Sequence, residues 1–151
     1  MNGTASIPVA DYRCEISAPV SAKQAFDKIG RVSEWWKTDS EEPRGQVGDV
    51  FTVRFGADTF VTFRVSELTP GVSTAWDVTD CYLSWLKDKT EWTGTKAVWK
   101  VSEKDHVTTI QFAHIGLVPV VECYDMCVKG WDQYVKGSLL ALLTLGKGQP
   151  S

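Results

Sequence analysis

Residues 108–145 read TTIQFAHIGLVPVVECYDMCVKGWDQYVKGSLLALLTL, and they contain a strand pattern followed by a long helix pattern. At the start of this stretch, Ile110, Phe112 and His114 occupy alternate positions, which is typical of a strand with one covered face. After a break at Gly116, apolar residues recur every three or four positions for about 25 residues, as on one face of a helix. A strand that continues into one long closing helix predicts a sheet wrapped around that helix.

The rest of the chain predicts more strands and a pair of short helices. The strand patterns occupy residues 12–17, 49–55, 59–68, 73–79 and 95–103. The short helices occupy residues 22–29 and 32–36, and Ser21 is a suitable N-cap for the first. Only residues 80–93 lack a clear period, and they could form a loop, a short helix or a lid. This order predicts an α+β fold in which a curved six-stranded antiparallel sheet wraps around a long C-terminal helix.

Length and composition indicate a single globular domain. The chain has 151 residues, of which 43% are hydrophobic and 23% are charged, and these are ordinary values for a globular protein. We expect one domain over residues 1–151, with an ordered core at about residues 10–148. The unusual feature is the content of seven Trp, six Phe and four Tyr, because large rings fill cores and also line small-molecule pockets.

Charge and hydropathy exclude two classes of partner. The net charge is -3 at pH 7, and because the chain has no basic stripe we expect no nucleic-acid partner. No apolar run approaches the roughly 18 residues that a bilayer-spanning helix needs, so we expect no membrane insertion. Residues 1–6 lack the positive start and the apolar core of a signal peptide, so we expect a cytoplasmic protein.

The cysteines are predicted to be free thiols that act as small apolar groups. They are Cys14, Cys81, Cys123 and Cys127, and no Cys-x-x-Cys pair occurs. Cys123 and Cys127 share one face of the predicted helix, but a zinc site would need two more ligands, so we expect no metal. The chain also lacks a glycine-rich phosphate-binding loop, so we expect no nucleotide or flavin cofactor.

Several motifs give the chain a family resemblance. They are Glu91-Trp92-Thr93-Gly94-Thr95, Phe112 to Pro119, Glu122-Cys123-Tyr124, Gly130-Trp131, and Gly137 to Leu139 followed by residues 146–150. Together with the element order, they resemble the helix-grip fold of the START/Bet v 1-like (SRPBCC) superfamily. Within it they resemble the activator-of-Hsp90-ATPase-homologue (AHSA1-like) branch, from about Tyr12 to Pro150. The resemblance implies a cavity that binds hydrophobic small molecules or lipids, and only some members are enzymes.

Aromatic side chains on the predicted inward faces are the strongest functional signal. Ligand sites are mostly apolar with a few placed polar groups, and this set has that composition. The predicted ligand-binding residues are Trp36, Phe51, Phe63, Trp76, Trp85, Trp99, Phe112, His114, Tyr124, Cys127 and Trp131. The same rings would fit a solid core equally well, because so many large side chains against one helix could fill the space completely.

His114 is the ionisable residue of most interest. Its inward position would let it hold a polar group of a ligand, as Tyr124 would. It could also act as a general acid or base, since the reference pKa of histidine is about 6.5. The alternative is a structural histidine that bonds to the closing helix or to a backbone carbonyl. We predict no catalytic residue.

These observations leave several functions open. The first is a non-catalytic protein that binds a small hydrophobic or lipid-like molecule between sheet and helix. The second is an enzyme of the cyclase or hydrolase type that acts on a hydrophobic substrate, with His114 as acid or base. The third is a protein-interaction module with a filled core, of a stress-response or co-chaperone-like kind, which could form a homodimer.

Overall fold

Six antiparallel strands form one curved sheet. The structure, a computed structural model, describes residues 11–151, so the expectations for residues 1–10 lie outside the described residues. The strands are β1 (Tyr12–Ala18), β2 (Val50–Arg54), β3 (Phe60–Thr69), β4 (Ser73–Tyr82), β5 (Lys96–Lys104) and β6 (Val107–Ile115). They lie in the order β1-β6-β5-β4-β3-β2, and each neighbouring pair is antiparallel. The predicted sheet is therefore confirmed.

Two short helices and a long C-terminal helix complete the fold. The short ones are α1 (Ala22–Gly30) and α2 (Val32–Trp35), and Ser21 caps α1 as predicted, with its hydroxyl accepting the N–H of Gln24. The C-terminal helix consists of α3 (Tyr124–Trp131), a π-helical segment (Asp132–Leu139) and α4 (Leu140–Leu145). Within residues 11–151, every helix is too short or too polar to cross a bilayer.

Apart from shifts of one residue at several ends, the elements differ from the sequence prediction in three respects. β4 continues to Tyr82, because Cys81 and Tyr82 still pair with β3. The apolar steps predict that the C-terminal helix begins near Val121 or Glu122, after Pro119, but it begins at Tyr124 because the preceding residues form turns. Its middle is π-helical, which the sequence could not show because apolar steps of three and four residues occur in both kinds of helix.

Aromatic rings fill the space between the sheet and the C-terminal helix. Phe112 on β6 packs against Trp131 with ring centroids 4.5 Å apart, and against Trp99 on β5 at 4.3 Å. Farther along the sheet, the rings of Phe51 and Phe63 are 5.3 Å apart. All five side chains are buried, and burying a ring of this size contributes about 1.5–3 kcal/mol. Rings in direct contact therefore fill this part of the space between the sheet and the C-terminal helix, where the sequence predicted a ligand site.

The C-terminal residues pack against α2. Gly148 passes so close to it that a Cβ atom at this position would lie 2.3 Å from the carbonyl oxygen of Glu34. The backbone N–H of Ser151 donates to the carbonyl of Trp36, and the N–H of Thr38 donates to the carbonyl of Ser151, both over 3.1 Å. These contacts hold the segment that follows α2 in place.

Cys123 and Cys127 form a disulfide, so the prediction of free thiols was wrong for this pair. Their Cα atoms are 5.6 Å apart, which is within the usual range for a disulfide. The spacing that places both residues on one face of a helix also brings their sulfur atoms together. Cys14 and Cys81 are free thiols.

Candidate functional site

The predicted ligand-binding residues are divided between the filled core and a surface cleft. Those in the core are Phe51, Phe63, Trp99 and Phe112. Those that line the cleft are Trp36, Trp85, Cys127 and Trp131. The remaining predicted residues, His114, Tyr124 and Trp76, lie outside its lining.

The aromatic cleft, as we call this site, lies where the end of β2, residues 83–95 and the C-terminal helix meet. Its volume is about 160 Å³, and its surface is almost entirely apolar. The lining residues are Trp36, Phe55, Leu83, Trp85, Trp92, Met126, Cys127, Gly130, Trp131 and Tyr134. Trp85 is 43% exposed and Met126 is 59% exposed, so the cleft opens to solvent beside them.

Ring geometry sets the shape of the cleft. Trp92 and Trp131 are stacked, with centroids 5.9 Å apart and planes within 10° of parallel. Trp36 lies 4.8 Å from Trp131 and meets Phe55 edge-on at 5.7 Å. Phe55 in turn lies 6.5 Å from Trp85. The cleft therefore offers both ring faces and ring edges, a combination that suits a flat apolar molecule.

His114 lies behind the cleft, where it bonds to the indole of Trp131 and, through Thr95, to the backbone of Trp92. The indole N–H of Trp131 donates to Nδ1 of His114 over 3.0 Å. Because Nδ1 accepts, a neutral imidazole carries its proton on Nε2, which donates to Oγ1 of Thr95 over 2.9 Å. The Thr95 hydroxyl then donates to the carbonyl oxygen of Trp92 over 2.6 Å. This chain of hydrogen bonds joins β6 to the indole of Trp131 and to the backbone of Trp92.

Burial keeps His114 neutral. The side chain is 1% exposed, and this burial lowers its pKa to about 3, against a smaller opposing effect of the Asp11 charge. Both ring nitrogens are already occupied by protein partners. A general acid or base needs a nitrogen within reach of the substrate, so this geometry favours the structural interpretation, in which His114 positions Trp131.

Trp76 and Tyr124 lie away from the cleft. Trp76 borders an open groove of about 700 Å³ between α1 and the turn after β3, where Lys23 and Arg44 also contribute. Tyr124 begins the C-terminal helix and packs, half-buried, against the hydrophobic core. Neither residue lines the cleft, and Trp76 is buried in the core, with its ring centroid 5.0 Å from that of Phe51.

A first carboxylate, Glu91, holds residues 83–95 to the start of the C-terminal helix. It accepts the backbone N–H of Glu122 over 2.7 Å and that of Cys123 over 3.1 Å. Beside it, the indole N–H of Trp92 donates to Sγ of Cys123 over 3.1 Å. The segment that was considered as a lid is therefore bonded directly to the helix.

A second carboxylate, Glu122, makes the reciprocal contact. It accepts the backbone N–H of Lys87 over 2.9 Å and that of Asp88 over 3.2 Å. These two N–H groups lower the pKa of Glu122. Glu91 and Glu122, which we call the carboxylate clamp, thus each satisfy backbone donors of the opposite segment, and they fix one wall of the cleft.

Sequence reasoning missed several residues of the cleft. They are Phe55, Leu83, Trp92, Met126, Gly130 and Tyr134. A signal existed for Phe55, which shares a strand face with Phe51, and for Trp92, which belongs to one of the family motifs. Met126 had no such signal, because it lies outside the apolar stripe of the helix and reaches the cleft only through the position of residues 83–95.

Comparison of the sequence with family models and with curated proteins finds no match. Solved structures do match. The Aha1 dimer from Colwellia psychrerythraea has a TM-score of 0.73 and 20% sequence identity, over 92% of this chain and 99% of that chain. A protein from Chromobacterium violaceum has a TM-score of 0.66 and 14% identity, over 89% of this chain and 97% of that chain.

A third similar structure is DynU16, a protein of the dynemicin biosynthetic locus. It has a TM-score of 0.65 and 19% identity, over 90% of this chain and 48% of that chain. Identities this low establish the fold alone. The predicted helix-grip architecture is thus confirmed, and the chain shares its fold with these solved structures.

Proposed function

We propose that this protein binds a small apolar or aromatic molecule in the aromatic cleft, without catalysis. The observation that carries the proposal is a cleft of about 160 Å³ whose lining is nearly all apolar and mostly aromatic. It lies beyond the filled core, where the end of β2, residues 83–95 and the C-terminal helix meet, and a mostly apolar lining is typical of small-molecule sites.

The volume limits the size of the ligand. An apolar cavity of about 150 Å³ holds a molecule the size of benzene. One aromatic ring or a short branched alkyl group would therefore fill the aromatic cleft, and a longer chain would extend past Trp85 and Met126 into solvent. A complete lipid would not fit inside it.

The affinity for a single ring should be modest. Burial of apolar surface contributes about 25 cal/mol per Å², so a ring that buries roughly 150 Å² gains about 4 kcal/mol. Association costs a similar amount or more on the usual standard state. The gain alone would correspond to a dissociation constant on the order of 1 mM, so we expect a one-ring probe to bind no more tightly than that, and a ligand with an additional polar contact to bind more tightly.

The enzyme alternative has less support. His114 was its proposed acid or base, and both of its ring nitrogens are bonded to protein groups. Among the residues that line the cleft, the one ionisable oxygen is the phenol oxygen of Tyr134, which forms a hydrogen bond with the hydroxyl of Ser151. A single bonded phenol is a weak basis for a cyclase or hydrolase mechanism.

A homodimer is a second proposal. The similar Colwellia structure is described as a dimer, and the exposed apolar side chains of Trp85 and Met126 could be covered by a second copy. Light scattering coupled to size-exclusion chromatography, across a range of protein concentrations, measures the oligomeric state directly. A monomer mass at every concentration would remove this proposal.

The single-domain organisation over residues 1–151 and the cytoplasmic location stay predictions. The Cys123–Cys127 disulfide weighs against the second, because disulfides are rare in a reducing cytosol. Fractionation of the host cell followed by thiol labelling in each fraction would test both the compartment and the oxidation state.

Methionine methyl NMR gives a direct test of binding. The chain has two methionines, Met1 and Met126, and the second lines the cleft. With 13C-methyl methionine, addition of toluene should shift the Met126 signal through the ring current of the bound probe. The variant Met126→Leu assigns the signal by removing it.

A pair of glycine variants supplies the matched control. At Gly130, which lines the cleft, and at Gly137, which does not, an added Cβ atom would meet nothing within 4 Å. Gly130→Leu should fill the cleft and abolish the toluene-induced shift, and Gly137→Leu should preserve it. If the wild-type signal does not move up to the solubility limit of toluene, the proposed function is wrong.

A further inference from the structure

The charge of the ligand is the next question, and any answer to it rests on the proposed function. A cage of aromatic rings alone would accept a neutral ring, an apolar anion or a quaternary ammonium ion, which binds to ring faces. The walls of the cleft cannot distinguish these, because none of the described residues that line it is Lys, Arg, Asp or Glu. The charged groups at the rim must do so.

Lys37 is at that rim. Its ammonium nitrogen lies 5.3 Å from the ring centroid of Phe55 and 5.9 Å from that of Tyr134, and both rings line the cleft. The same nitrogen donates to Oγ of Ser151 over 3.0 Å. An ammonium group has three donors, so this contact leaves others for a ligand.

No side-chain carboxylate of residues 11–151 forms an ion pair with the Lys37 ammonium. The ion pairs among residues 11–151 involve other cations, namely Arg13, Arg31, Arg54, Lys96 and Lys136. A cationic ligand in the cleft would therefore be repelled by Lys37, and a neutral one would gain nothing from it. An anionic group at the mouth would gain a charge-assisted hydrogen bond.

We infer that the ligand is a small apolar monoanion, with one aromatic ring or short alkyl group in the cleft and a carboxylate at Lys37. Because the Lys37 ammonium lies over two rings that line the cleft, the simplest probe is one aromatic ring with a carboxylate on a short arm, as in phenylacetate. Since Lys37 is only partly buried, we expect this contact to raise affinity by up to about fivefold.

The test compares three probes of similar shape. Phenylacetate, phenylacetamide and benzyltrimethylammonium are each titrated into wild-type protein at low salt, with the Met126 methyl shift as readout. Phenylacetate should bind up to about fivefold more tightly than phenylacetamide, and its advantage should shrink as salt is raised. Benzyltrimethylammonium should bind most weakly.

Two lysine variants complete the design. Lys37→Gln should remove the preference for the acid over the amide, and retained binding of toluene, which has no polar group, shows that the cleft is intact. Lys104→Gln, at the far end of β5, should keep the preference. Equal binding of acid and amide to the wild type, or tightest binding of the ammonium probe, would overturn the charge assignment and leave the proposed function standing. Failure of all three probes to bind would overturn both.

Discussion

Burial of His114 in its neutral form makes the stability of the fold depend on pH. In the folded protein its pKa is lowered to about 3 by burial, whereas an unfolded histidine titrates near about 6.5. Between these values the unfolded chain binds more protons than the folded one. The contribution of His114 is therefore complete above about pH 6.5 and is lost as pH falls, by up to about 1.4 kcal/mol per unit.

Urea unfolding of the wild type and of His114→Gln between pH 7.5 and pH 4.5 measures this effect. The variant should lose less stability on acidification, and the control variant His106→Asn should behave as the wild type does. If the variant does not fold, NMR of the imidazole protons in the wild type decides, because the chain has two histidines. A His114 signal that titrates near pH 6 would contradict the burial argument.

At the residue scale, sequence predicted the position of His114 but not its role. Strand alternation placed it on the inward face, as found. Its partners Trp131 and Thr95 lie 17 and 19 residues away in the chain, and contacts between a helix and a strand have no fixed spacing. The choice between a catalytic and a structural histidine therefore depends on how the helix packs against the strands, which the sequence does not specify.

At the scale of elements, the carboxylate clamp should govern the mobility of residues 83–95. Glu91→Gln keeps the shape of the side chain but replaces a charged acceptor with a neutral one for the N–H groups of Glu122 and Cys123. A charge-assisted hydrogen bond is roughly twice as strong as a neutral one. We expect a loss of about 1 kcal/mol in the local opening free energy.

Amide hydrogen exchange followed by NMR is the appropriate measurement. Exchange should accelerate at Glu122, at Cys123 and within residues 83–95, and should stay unchanged in the sheet. Glu67→Gln, an exposed acid on β3, serves as the control. Uniform acceleration throughout the protein would show that Glu91 supports the whole fold rather than one segment.

The clamp also explains why residues 80–93 resisted sequence analysis. Periodicity indicates elements that bury one face regularly. Residues 80–82 extend β4, but residues 83–93 are held by individual hydrogen bonds to the start of the C-terminal helix. The helix itself was predicted from its apolar steps. Its π-helical centre was not, since the width of a helical turn depends on backbone bonding that apolar spacing does not specify.

At the scale of the whole molecule, the disulfide predicts a thiol count and a change in stability. Protein purified without reductant and then unfolded should show two reactive thiols, from Cys14 and Cys81, and reduction should expose all four cysteines. Closing so short a loop restricts the unfolded chain only slightly, so reduction should lower the free energy of unfolding by about 2 kcal/mol.

Mass spectrometry after alkylation gives the count, and denaturant unfolding with and without reductant gives the stability change. The variant with both Cys123→Ser and Cys127→Ser should resemble the reduced protein and should not respond to reductant. Cys81→Ser is the matched control, and it should retain the response. Four reactive thiols in the unreduced protein would contradict the assignment of the disulfide.

The sequence predicted the architecture well because the architecture follows from patterns. Alternation defined the strands, and one apolar stripe defined the helix that covers them. The expected cavity between the sheet and the helix was harder to predict. Rings such as those of Trp99 and Phe112 fill the centre of the molecule, and Phe112 packs directly against Trp131 of the helix. Space remains at one end of the molecule, and its size depends on how the rings pack, which residue types alone do not determine.

Gly148 constrains how this chain can diverge. Any other residue there would place a Cβ atom against the carbonyl oxygen of Glu34 and would lift the following residues from α2. Ser151, which bonds to Lys37 and Tyr134, would move with them. Orthologues that conserve the cleft should therefore conserve a glycine at this position as well, although it contributes no atom to the cleft lining.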